Sequence, residues 1–279
     1  MVLDVLAHGF IQKALISGIA VATICSFMGT FLVLRRYALF GDGTAHVAFG
    51  GIAIGMASGI FPIWTAYLTA ILGGLGLQKL RQSTKMSGDA GVAIILVGGL
   101  SVGVLVISAT GGFSVDLFSF LFGSILLISA EETIIICSFS AGIVITLVAL
   151  RNQFLHLTFN EAQAKLAGLN VTLLNYVFVV LAAITVVTSM RLVGILLISA
   201  LVVIPSITAT TLGKSFWRTI LLSITFSISS VVVGVFLSYY LDLAPSGTIV
   251  VISLTIFVSV MLIRKIIQRQ QATAKPVAA

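Results

Sequence analysis

Charge is what this chain lacks most. Aspartate, glutamate, lysine and arginine make up 8% of its 279 residues, against about 25% in an ordinary soluble domain, which excludes a water-soluble globular fold. With 59% hydrophobic residues and a mean hydropathy of +1.23, the composition is that of an all-α polytopic membrane protein. Cysteine is nearly absent. Cys25 and Cys137 both lie in apolar runs, so they read as small packing residues and exclude a disulfide framework. The net charge is +7, but no long basic stretch accompanies it, which excludes a nucleic-acid partner. Nucleotide motifs are missing too. Gly213-Lys214-Ser215 ends like a phosphate-binding loop, yet Thr208 stands where that motif needs glycine. Gly41-Asp42-Gly43 lacks the third glycine of a dinucleotide fingerprint. No nucleophile, base and orienting group share a polar segment, so the chain is not read as an enzyme.

What is present is a series of apolar runs punctuated by small basic groups. Nine spans are expected, at 11–34, 38–58, 63–77, 91–109, 133–150, 171–190, 192–212, 220–241 and 248–263. The stretch 117–129, read as an outer loop with a short re-entrant or interfacial helix, leaves eight or ten open. A secretory signal is not expected, because the first apolar run is too long and its basic pair, Arg35-Arg36, follows it. The basic groups fall on one side of this arrangement: of the 15 Lys and Arg, all but Lys13 and Arg191 are cytoplasmic. The N-terminus is then outside and the C-terminus inside, with residues 1–270 one transmembrane domain and 271–279 a flexible cytoplasmic tail. Acidic residues gather on the other side, at Asp116, Glu131, Glu132 and Asp242. They read as an outer mouth that raises the local concentration of cations, or as a by-product of sidedness.

One span breaks the pattern. Gly41 to Gly51, GDGTAHVAFGG, places Asp42 and His46 four residues apart, hence on one helical face. A charged group near the bilayer centre costs roughly 2.5–3.5 kcal/mol on insertion scales, so the pair needs a partner or a task. His46 lies about eight residues into its span, some ~12 Å at 1.5 Å per residue, near the middle of a ~30 Å core. Two readings stand: a clasp in which Asp bonds His and pins two helices, or a transient divalent-cation site made of carboxylate and imidazole. Gly51, Gly55 and Gly59 add a small-residue face open to close helix approach.

Two further features carry chemistry. The polar insertion 151–170 fits a short amphipathic helix over 158–169, capped by Asn160, with Glu161 in its first turn and Gly168 at its end. Phe159, Ala162, Leu166 and Leu169 give it an apolar strip. It is either a solvated connector or a docking helix for a cytoplasmic partner. Pro205 sits mid-span and removes a helix hydrogen bond, inviting a kink, and Ser206, Thr208, Thr210 and Thr211 offer hydroxyls nearby.

RRYALFGDGTAHVAFGGIAIG resembles the signature of the ABC-3 family of metal-ion permeases. The likeness continues through VDLFSFLFGSILLIS, LTFNEAQAKLAGLN, VGILLISALVVIPSITAT and LDLAPSGTIVV, in the family's order and over nearly the whole chain. The resemblance implies a homodimeric permease subunit in a prokaryotic cell membrane, importing Zn2+, Mn2+ or Fe2+ as transient cargo with no permanently bound cofactor. It implies two cytoplasmic ATPase subunits docked through the helix of Phe159, Glu161, Ala164 and Gly168, and an extracytoplasmic metal-binding protein. Asp42 and His46 match the residues that line the family's translocation path. Ser206-Ile207-Thr208-Ala209 departs from the Ala-Ala-Thr-Ala of many relatives, which bears on packing beside the kink. A self-sufficient channel or ion-coupled carrier is the alternative, and a non-transporting membrane scaffold a third. Histidine plus carboxylate suits all three metals equally.

Overall fold

The computed structural model describes residues 9–83, 88–111, 115–123 and 128–273. Within them lie twelve α-helices: α1 (Gly9–Leu34), α2 (Phe40–Ser58), α3 (Pro62–Ser83), α4 (Gly88–Ala109), α5 (Val115–Phe122), α6 (Ala130–Ala149), α7 (Arg151–Phe159), α8 (Glu161–Leu166), α9 (Val171–Val193), α10 (Ile198–Thr211), α11 (Phe216–Leu241) and α12 (Pro245–Thr273). Each of the nine expected spans overlaps one of them, the seventh, 192–212, only from Ile198 onward, since Leu192 and Val193 still belong to α9.

Six helices, α1, α4, α6, α9, α11 and α12, are long and apolar enough to cross a membrane. The other three fall short for visible reasons. Asp42, His46 and the glycines dilute α2, and a polar last turn, Gln78 to Ser83, dilutes α3. At 14 residues, α10 extends only about 21 Å, less than a ~30 Å hydrocarbon core.

The centre of the molecule is α1, which packs against α6, α9, α10 and α11. Its Phe31 is fully buried and anchors an aromatic knot, with ring centroids 5.4 Å from Phe216, 6.0 Å from Phe154 and 6.4 Å from Phe178. A second cluster joins α2, α3 and α5 through Ala45, Phe49, Tyr67 and Phe120. Helix α9 separates the two clusters, with Ala182 in the first and Ala183 in the second. Backbones touch where side chains are smallest. A Cβ on Gly29 would lie 2.1 Å from the Val202 carbonyl oxygen, so α1 and α10 cross there. The outward faces of α4, α6 and α12 carry exposed Ile94, Val97, Leu105, Ile134, Ile145, Val251 and Leu262, as a lipid-facing surface requires.

Three expectations differ from the structure. Of the three glycines at four-residue intervals, Gly51 and Gly55 do meet a neighbour closely, at Thr69 and Thr65 of α3. Gly59 instead ends α2 in the left-handed region (φ 68°), and Ile60 N–H returns to the Gly55 carbonyl at 2.9 Å. That conformation favours glycine. The cytoplasmic helix also differs from its expected bounds. After a one-residue break at Leu150 the chain continues helical as α7, so Phe159 closes that helix, and the helix capped by Asn160 spans only Glu161–Leu166. Residues 271–273, expected in the tail, extend α12, and 274–279 lie outside the described residues.

Candidate metal path

Helix α1 stops because Arg36 takes φ 59°, and the N–H groups of Arg36 and Tyr37 return to Val33 and Leu32 at 3.1 and 2.8 Å. Four residues later α2 begins, with Asp42 in its first turn, where the helix dipole favours a carboxylate. Its backbone is gripped on two sides. A Cβ on Gly99 of α4 would lie 2.6 Å from the Val47 Cα and 2.8 Å from the His46 carbonyl carbon, while Thr65 and Thr69 of α3 close on Gly55 and Gly51. Glycine at these crossings lets α2 pack backbone to backbone, which fixes Asp42 and His46 in the bundle.

Both side chains are half-buried. Asp42 Oδ1 accepts a hydrogen bond from Ser199 Oγ on α10. His46 Nδ1 is buried and has no hydrogen-bond partner. Among the described residues Asp42 and His46 do not bond each other, so the clasp in which Asp pins His is not what this helix builds. An unsatisfied buried nitrogen costs about 1–3 kcal/mol, and such a group in a native fold calls for an explanation; a neutral imidazole nitrogen is a metal donor. No group of three or more His, Cys, Asp or Glu side chains able to hold a metal occurs among the described residues. One chain therefore offers two strong donors.

Ser199 was not legible as part of this site, because a lone serine in an apolar run carries no signal. Its placement depends on the break between α9 and α10. Gly194 (φ 82°) has the end of α5 against it, and a Cβ there would lie 2.4 Å from the Phe122 carbonyl carbon. The Ile195 and Leu196 N–H groups donate to Phe120 and Leu121 at 3.0 and 3.3 Å, and Ser246 Oγ donates to the Phe122 carbonyl at 2.6 Å. The last carbonyls of α5 are thus satisfied, and the turn delivers the first residues of α10 to Asp42. Pro205 lies inside α10 as expected. Ser206, Thr208, Thr210 and Thr211 each donate back to a carbonyl three or four residues earlier, a pattern that bends helices.

The outer acidic set is dispersed. Asp116 falls in α5, and its side chain lies outside the description. Glu131 and Glu132 line a cavity of about 380 Å3 with Tyr67, Thr188 and Arg191. Glu132 is committed twice: it closes a capping box with Ser129, and its Oε1 accepts from Arg191 Nε at 2.8 Å and Nη2 at 2.5 Å. That pairing gives a carboxylate partner to one of the two basic residues that stand apart from the cytoplasmic groups in the sequence. Asp242 ends α11 in the left-handed region and lines a separate cavity of about 250 Å3.

At the opposite end, Asn160 Oδ1 accepts from the Gln163 N–H at 3.1 Å and caps α8, and Gly168 (φ 81°) ends it. Phe159, Ala162 and Leu166 are exposed, Leu166 at 88%, whereas Leu169 is half-buried and Ala164 is turned fully inward. Glu161 pairs with Arg35 at 2.9 Å, a contact with no sequence signal, the two being 126 positions apart.

Three comparisons bear on this arrangement. A family model described as ABC 3 transport family matches residues 7–264. A "Probable metal transport system membrane protein" of Treponema pallidum is 34% identical over 94% of this chain and 98% of its own length. "Manganese transport system membrane protein MntC" of Listeria innocua is 32% identical over 90% of this chain and 89% of its own. A solved chain of PsaBC from Streptococcus pneumoniae, in complex with Fab, superposes with a TM-score of 0.83 at 28% identity, covering 93% of this chain and 95% of that one.

Proposed function

The chain belongs to the ABC 3 transport family, and from that premise we propose that it is the transmembrane permease subunit of an ATP-driven importer of a divalent metal ion, with Mn2+, Zn2+ or Fe2+ as cargo. The observation that carries this reading is the Asp42/His46 pair: a carboxylate and an imidazole on one face of a glycine-gripped helix, with Nδ1 buried and unpartnered. The permease has nine membrane segments, the short α10 enclosed by α1, α11 and α12, with its N-terminus outside and its C-terminus in the cytoplasm. It works as a homodimer, and a pair from each protomer gives four protein donors, enough for tetrahedral zinc. Such a site must be transient, since cargo held as tightly as a structural zinc could not leave.

The partners follow from the same reading. Asn160 through Leu169 docks a separate ATPase subunit by the exposed Phe159, Ala162 and Leu166, with Ala164 as the inward pivot. Glu131 and Asp242, outside, face an extracytoplasmic metal-binding protein. The permease itself catalyses nothing. Uptake of radioactive Mn2+ and Zn2+ by cells expressing the transport system tests the proposal. Asp42→Asn and His46→Asn should each insert normally and each abolish uptake. Wild-type uptake in both variants would return the pair to a structural role and overturn the reading.

A further inference from the structure

Between α8 and the beginning of α2 lies a polar junction that neither the packing nor the cargo site accounts for. Arg35, the residue after α1, is buried, its side chain 5% exposed. Its guanidinium lies 4.6 Å from the Phe178 ring and 5.5 Å from that of Tyr37. Its Nη2 donates to Glu161 Oε1 at 2.9 Å and to Asn175 Oδ1 at 2.5 Å, and Asn175 Nδ2 reaches the same Glu161 oxygen at 3.5 Å. Its Nη1 is buried without a partner. Burial pushes the guanidinium below its usual range and Glu161 opposes that, yet an arginine stays charged, so the buried cation depends on this one carboxylate. Glu161 is 54% exposed on a helix of six residues. Through Arg35 it links α8 to the turn that follows α1. From Arg35 the chain reaches Asp42 in seven residues, through the left-handed turn at Arg36.

A cavity of about 350 Å3 adjoins this junction, lined by Tyr37, Gln78, Arg81, Gln82, Glu161 and Asn175 among others. Arg81 sits 4.1 Å from the centroid of the Tyr37 ring. Two cations thus flank one tyrosine, and the half-exposed carboxylate that pairs with Arg35 lines the same cavity as Arg81. We propose that Arg35, Glu161 and Asn175 form the joint through which α8 and the Asp42/His46 helix move together, with Arg81 as the second seat of the Glu161 carboxylate. An element with two discrete arrangements that two sites both bias is what physical coupling requires. In one arrangement Glu161 neutralises Arg35 and fixes the end of α1. In the other it crosses to Arg81, Arg35 keeps only Asn175, and the turn leading to Asp42 is released. The joint rests on the metal-permease reading above, and it adds the route by which docking at α8 reaches the cargo.

Coupling is reciprocal, so metal bound at Asp42 and His46 must be felt at α8. Hydrogen–deuterium exchange of residues 160–170 in the full chain in lipid nanodiscs, with and without Mn2+ or Zn2+, measures this. In the wild type, metal should change exchange across α8 by about fivefold or more, the low end of typical coupling. In Glu161→Gln, whose side chain is half in solvent and folds without the charge, the change should fall below about twofold; Arg35→Gln should do the same, and Arg81→Gln should leave α8 protected with or without metal. An equal metal response in wild type and Glu161→Gln overturns the joint while leaving the permease reading intact. No metal binding by the wild type, measured in parallel by calorimetry, overturns the permease reading and the joint with it.

Discussion

The two ion pairs that touch α9 at its opposite ends are built from the same chemistry and do different work. At its C-terminal end Arg191 and Glu132 are both largely enclosed, 28% and 13% exposed. Two nitrogens of one guanidinium meet one carboxylate oxygen, Phe120 lies 4.6 Å beneath, and the same glutamate closes the cap of α6. At its N-terminal end one partner is buried and the other half in solvent, on a six-residue helix with a polar cavity beside it. The first arrangement ties the start of one long helix to the end of another through two well-enclosed side chains. The second joins a short helix to the turn after α1 through a carboxylate half in solvent. Exposure of one partner, more than the distance between the two, separates a clamp from a joint.

Breaking the clamp should produce the largest effect on stability. Arg191→Gln leaves the enclosed Glu132 carboxylate with only the Ser129 N–H, and removal of one partner from an enclosed pair costs about 3–5 kcal/mol. The low end, about 3 kcal/mol, is expected because the cap survives. Denaturation in detergent followed by tryptophan fluorescence checks it. A loss under about 1 kcal/mol would place the pair with ordinary surface bridges and dissolve the contrast.

The joint should behave oppositely. Glu161→Gln keeps an amide–guanidinium hydrogen bond but leaves the buried Arg35 without its counter-charge, so stability should fall by about 1–2 kcal/mol, less than for the clamp, while metal uptake by intact cells falls several-fold. Equal sensitivity of stability and uptake would make the Arg35–Glu161 pair a second clamp.

Much of this architecture was legible in the sequence, and the exceptions share a cause. Hydropathy and basic residues located nine segments, and all nine are helical, because apolar length is a local property. Asn160 as cap, Gly168 as terminator and Pro205 within a helix were also local. Asp42 and His46 stood out since ionisable groups in an apolar run are costly wherever the chain folds. Ser199, Arg35 with Glu161, and Glu132 with Arg191 did not stand out, because each pairing joins residues 59 to 157 positions apart and nothing in either partner's neighbourhood marks it. Gly59 was misread for the complementary reason. Its four-residue spacing from Gly55 is equally what a packing stripe and a helix terminator produce, and only the backbone angle tells them apart.

The outer acidic residues outside the clamp should have the smallest effect, and one that sharpens the comparison by its dependence on salt. Glu131 lies in the first turn of α6, where neutralisation gives up a dipole interaction of about 0.3–1 kcal/mol. Asp242 holds a left-handed backbone that asparagine also tolerates, so Asp242→Asn keeps the end of α11. Neither residue is part of an ion pair among the described residues, so what remains for them is long-range attraction of cations. That attraction is screened over about 8 Å at physiological ionic strength. Glu131→Gln with Asp242→Asn should therefore slow uptake by roughly two- to threefold at low salt, a modest steering effect, and leave it unchanged at high salt. Slowing by the same factor at every ionic strength would assign both carboxylates to the fold, alongside Glu132.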